Sequence, residues 1–137
     1  MSLITLLVFE GKDSLIHGMY SLIVDDRRLF DFMVDNQVFS MQTDTAFTIL
    51  NMKVKGSNET KIFYEYLLFL NERQGTAKKL NEKKKNGTAT EQKAAGEALL
   101  SLDNEVKLYI ANFHKKHSAS FTSNFIYAIE YPTVPEA

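Results

Sequence analysis

The 137-residue sequence contains no cysteine, no tryptophan, two prolines and six glycines. Without cysteine, this chain can form no disulfide, thiolate nucleophile, cysteine-type zinc cluster or lipid-bearing N-terminal cysteine. The six glycines are scattered, and none belongs to a phosphate-cradling loop. An excess of charge of either sign is also missing. Sixteen basic residues face seventeen acidic ones, for a net charge of −1. That leaves no basic field to neutralise nucleic-acid phosphates, so nucleic acid is excluded as an expected partner. Long hydrophobic runs are absent, and no stretch approaches the roughly 18 consecutive apolar residues of a transmembrane segment. The opening MSLITLLVFEG has no positive leader region. Its apolar run at 3–9 is short, and Glu10-Gly11 stands where a small-residue cleavage site would be. It reads as a buried strand, not a signal peptide.

What remains is the composition of a globular domain, 45% hydrophobic and 24% charged. A chain of this length fits one domain that buries roughly two-thirds of its accessible surface on folding. The first 55 residues alternate with period two between turn residues. Strands are expected at 4–10, 19–24, 29–34, 38–43 and 46–54. Asp25-Asp26 and Asp35-Asn36 stand where hairpin turns are needed, because Asp and Asn tolerate left-handed backbone. The short connections predict an antiparallel meander.

The pattern changes at Gly56. Ser57 is a candidate N-cap, with Glu59 in the first turn, and a helix is expected to about Lys85. Asn86-Gly87 breaks it. A second helix is expected from Thr88 to about His117, with a stripe of Ala95, Leu99, Leu102, Val106, Tyr109, Ile110 and Phe113. A short third helix is expected over 119–130, ending before Pro132. The fold class is therefore α+β, an antiparallel sheet from the N-terminal half packed on an antiparallel helical pair and a short third helix. Residues 1–55 form the β-rich part, 56–131 the helical part, and 132–137 read as the start of a linker.

Within the first helix, Ile62, Phe63, Tyr66, Leu67, Phe69 and Leu70 fall in one broad arc at 100° per residue. Tyr64 and Leu68 fall outside it, among Glu65, Asn71 and Glu72. This pair is the candidate interface, expected to be exposed on the back of the helix unless something outside the chain covers it.

Chemistry-bearing constellations are sparse. His114 and His117 are close enough to share a metal, but with Lys115 and Lys116 they also complement a helix C-terminus. No third ligand is evident in the neighbouring sequence, and no metal site is expected. Asp25, Asp26, Asp31, Asp35 and Asp44 fall mostly at turns, with no companion nucleophile or base. KKLNEKKK (78–85) reads as a solvated helix end. The sequons at Asn58 and Asn86 carry no assigned role. No catalytic residue and no cofactor are expected from these residues.

Four segments together carry a likeness: GMYSLIVDD, FDFMVDNQVFSMQTDT, KVKGSNETKIFYEYLLFLNERQ and FHKKHSASFTSNFIYAIEYPTVPE. The chain resembles the N-terminal domain of unknown function of bacterial cell-envelope thiol–disulfide oxidoreductases. There a β-rich module and a helical segment precede a thioredoxin-like domain of the TlpA or redoxin type. The likeness covers most of residues 8–136, and it marks an architecture, not a chemistry. It implies a non-catalytic accessory module in the cell envelope or periplasm. Its partners would be a downstream thioredoxin-like domain of the same protein and that domain's protein substrates. The family's CxxC has no counterpart here, so no catalytic residue carries over. The family's earlier strands and its export signal are also missing, so the chain reads as a piece of a longer protein. The alternative is a free-standing protein- or peptide-binding domain.

Overall fold

A computed structural model describes residues 8, 10–44 and 46–130. The expected first strand at 4–10 and the expected linker at 132–137 fall largely or wholly outside the described residues. The element order is β1 (Gly18–Val24), β2 (Arg27–Val34), β3 (Ser40–Gln42), β4 (Lys53–Lys55), α1 (Asn58–Asn86), α2 (Ala89–Lys116) and α3 (Phe121–Glu130). The fold is α+β. Among the described residues the strands form two separate two-stranded antiparallel sheets, β1-β2 and β3-β4, in place of the expected meander.

The first hairpin follows the sequence. Asp25 and Asp26 take φ of 52° and 62°, the left-handed backbone of a two-residue turn whose twist suits the flanking strands. Tyr20 then pairs with Phe32 and Ser21 with Asp31, and a bulge lies between Leu22 and Ile23. Side chains crossing the ladder reinforce it. Ser21 Oγ donates to Asp31 Oδ1 at 2.5 Å, and the Tyr20 and Phe32 rings stack at 6.0 Å.

The second expected hairpin is absent. Asp35 makes no turn between β2 and β3. Its Oδ1 accepts from Ser57 Oγ at 2.5 Å and its Oδ2 from the Glu59 amide at 3.1 Å. A carboxylate placed on orphan amides at a helix start is well used there, so Asp35 serves α1 and not a turn. The expected strand at 46–54 shrinks to β4 for a similar reason. Asp44 gathers the chain behind it, accepting from the Phe47 amide at 2.6 Å and from Asn51 Nδ2 at 2.5 Å. Those bonds hold its carboxyl below the usual carboxylate range, the Phe47 amide contributing most. Only Met41 and its neighbours reach across to Val54. Gly56 then turns into α1 with φ +84°, and a Cβ there would come within 2.8 Å of the Val38 carbonyl oxygen.

Both long helices start where their caps predict. Ser57 Oγ accepts from the Thr60 amide and Thr88 Oγ1 from the Glu91 amide, each at 3.2 Å. The α2 stripe faces inward as expected, with Ala95, Ile110 and Phe113 buried and its other members half-buried. Along the helical pair, Phe69 stacks on Tyr109 at 3.5 Å. Arg73 lies 4.7 Å over the Phe69 ring and reaches Glu105 at 2.8 Å.

The core gathers at the start of α1. Met33 from β2, Ile62, Phe63, Tyr64 and Tyr66 from α1, Ile110 and Phe113 from α2, and Ile126 from α3 form one buried cluster. Here the first half of α1 is enclosed from several directions. It packs on α2 and α3 on one side and on β2 and β4 on the other. The Tyr64 side of α1 is therefore internal.

Candidate interaction surface

Tyr64 corrects the expectation of an exposed pair. It is 5% exposed in the single chain, its ring meets Phe63 edge-on at 5.6 Å, and its hydroxyl donates to the Asp31 carbonyl at 2.9 Å. Thr60, one turn earlier, works on the same strand. Its Oγ1 accepts from the Met33 amide at 3.0 Å and donates to the Met33 carbonyl at 2.8 Å. Backbone groups of β2 that no strand pairs are thus satisfied by side chains of α1, which guards that sheet edge. Leu68 is half-buried.

A chain of caps positions α3. Asp35 caps α1, as described above, and Glu59 in the first turn of α1 caps α3 in turn. Glu59 Oε2 accepts from Ser120 Oγ at 2.5 Å and from the Thr122 amide at 3.2 Å. Ser120 Oγ also accepts from the Ser123 amide at 3.1 Å. At the other end of α3, Tyr66 donates to Glu130 Oε1 at 2.9 Å. Burial, and then the bond to Glu130, raise the Tyr66 hydroxyl well above its ordinary pKa. Both ends of α3 are thereby tied to α1.

This fixing sets which side of α3 looks outward: Ile126 and Phe121 pack on the core, but other apolar side chains face out while small polar ones are buried. Thr122 and Ser123 are fully buried, while Phe125, Tyr127 and Ile129 are 43%, 38% and 58% exposed. Ile126 is the one buried aliphatic side chain of the helix. The hydroxyls of Thr122 and Ser123 have no hydrogen-bond partner among the described residues. Phe125 and Ile129, four residues apart, stand on one outward face. Sequence periodicity did not single them out, because FTSNFIYAIE is apolar on nearly every side. The only local signal was that its two small hydroxyl residues sit on the Ile126 side.

The histidines do not converge. His114 Nε2 lies 2.8 Å from Asn124 Oδ1, and its ring stacks on Tyr127 at 4.2 Å. His117 Nε2 lies 3.3 Å from Glu65 Oε2, and its ring meets Phe113 edge-on at 4.8 Å. Glu65 is an acid that the neighbouring sequence could not offer, since it comes from α1 and pairs with Lys116 as well, at 3.1 Å. Among the described residues no group of three or more His, Asp or Glu side chains could hold a metal ion. The acids Asp31, Asp35 and Asp44 are each engaged locally, Asp31 in a close pair with Arg28. Among the described residues no helix is long and apolar enough to cross a membrane.

What the described residues offer is contact surface on the outward face of α3. Comparison with protein-family models, with curated proteins and with solved structures found no match to this chain.

Proposed function

We propose that this chain is a non-catalytic accessory module of a bacterial cell-envelope thiol–disulfide oxidoreductase. In this role it holds a thioredoxin-like domain, or that domain's protein substrate, in position. The observation that carries the interaction reading is α3, with Thr122 and Ser123 inside and Phe125 and Ile129 outside. A helix that turns apolar side chains to solvent and small polar ones to the core suits a covered surface in a larger assembly. The redox and envelope parts of the reading rest on the resemblance of the four segments quoted above. A thiolate is the nucleophile of disulfide exchange, and this chain has no cysteine, so the exchange itself belongs to the partner domain.

The reading frame that encodes the chain tests this. A thioredoxin-like domain with a CxxC after Ala137 supports the proposal, and a stop codon directly after Ala137 overturns it.

A free-standing peptide-binding domain is the second reading, favoured by the β1-β2 hairpin. Met19 and Ile23 are 49% and 60% exposed on one face of β1. Such a strand can receive an extended peptide through its backbone, with side-chain contacts on alternate residues.

A further inference from the structure

The far end of the α1-α2 hairpin is a different surface from α3. Leu70 is the last α1 residue packed on the core cluster, and Asn86 lies about 24 Å farther along the helix. Residues 76–96 span this tip and contain Lys78, Lys79, Lys83, Lys84, Lys85 and Lys93. All six are exposed. None of the six forms an ion pair among the described residues. The tip holds only two acids, Glu82 and Glu91, and Glu91 is drawn to the Thr88 cap at 3.3 Å. Six cations against two acids leave the tip at +4 and the rest of the chain at −5.

We propose that this tip docks the molecule on an anionic phospholipid surface. The residue types favour headgroups over other anions. The tip has no arginine to fork onto a fixed carboxylate or phosphate and no aromatic ring to stack on a base or fill a protein pocket. Flexible lysines are point charges that suit a fluid, laterally adaptable layer of phosphates. The −5 remainder is repelled by the same surface, so the molecule stands end-on with the β-sheets away from the lipid. The inference does not rest on the redox-module reading.

The test is co-sedimentation of the whole chain with vesicles of phosphatidylglycerol and phosphatidylcholine. Binding is expected at low salt. It should be absent on phosphatidylcholine alone and lost in about 1 M salt, where the screening length falls to about 3 Å. The variant K78Q/K79Q/K83Q/K84Q/K85Q should lose at least about tenfold in partitioning with its circular dichroism unchanged. K53Q/K55Q, in β4, should bind like the parent. An environment-sensitive dye on Asn86→Cys should respond to vesicles, and the same dye on Asp26→Cys should not. No sedimentation of the parent, equal binding by the five-lysine variant, or a response at Asp26 would overturn the proposal. So would tighter capture by soluble poly-glutamate than by vesicles, which would identify an acidic polypeptide as the partner.

Discussion

The Tyr64 hydroxyl reaches the Asp31 carbonyl at 2.9 Å, joining the second turn of α1 to a strand residue 33 positions earlier in the chain. This bond, with Thr60 on Met33, makes one side of α1 the cover of a sheet edge.

Replacing Tyr64 separates this account from a back-face residue. Tyr64→Phe removes one hydrogen bond and should cost about 1 kcal/mol. Tyr64→Ala should cost about 3 kcal/mol or more, as for other buried aromatics. Leu68→Gln, at a half-buried site, should stay within about 1 kcal/mol. Urea melts measure all three. Unchanged midpoints for both Tyr64 variants would place the ring outside the core.

That pair also shows what the sequence could and could not tell. The α2 stripe was legible because α1 is its main packing partner, and one dominant contact direction leaves a clean helical period. The Asp25-Asp26 turn was legible because its geometry is set by two adjacent residues. Tyr64 was not, since what covers it is a strand far away in sequence. Asp35 and Asp44 resembled ordinary turn acids, and their partners are an α1 cap 22 residues on and an amide and amide side chain just downstream. The outward face of α3 was hidden for another reason. Its direction is set by Glu59 and Tyr66, neither of which belongs to α3.

The two unpartnered hydroxyls of α3 give a prediction of opposite sign. Ser123→Ala and Thr122→Val remove buried polar atoms that make no hydrogen bond among the described residues, so neither variant loses one of the bonds seen there. Both should be neutral or stabilising by about 1 kcal/mol, since an unsatisfied buried hydroxyl costs about that much or more. Thermal unfolding checks it. A clear loss of stability in both variants would mean the hydroxyls are bonded.

Glu59 should act on α3 from a distance. Glu59→Ala removes the acceptor for Ser120 and the Thr122 amide and should cost about 1 kcal/mol, the usual worth of a cap. Amide hydrogen exchange should speed up first across 121–126, ahead of the rest of the helical pair. Glu59→Gln keeps an acceptor oxygen and should lose less. Uniform exchange along all three helices would show that α3 has no separate fastening.

Alkaline pH should loosen the same core. Burial first, and then the nearby carboxylates Asp31 and Glu65, push the Tyr64 and Tyr109 hydroxyls up to about 12. Tyr66 moves in the same direction. A folded-state pKa above the unfolded value of about 10 adds stability that is fully present below about pH 10. That stability is lost as pH rises through the window from about 10 to about 12. Ultraviolet titration should therefore show part of the tyrosine absorbance change arriving late, together with loss of helical circular dichroism. Ionisation of all six tyrosines near pH 10 in a still-folded chain would contradict the buried placement.

The outward face of α3 is proposed as a surface for a partner domain. Isothermal titration of the proposed thioredoxin-like partner domain into this chain, with the parent and with F125S/I129S, is the decisive measurement. The parent should bind, and the variant, folded and within about 1 kcal/mol of the parent's stability, should not. Equal binding by both, or no binding by the parent, would contradict it.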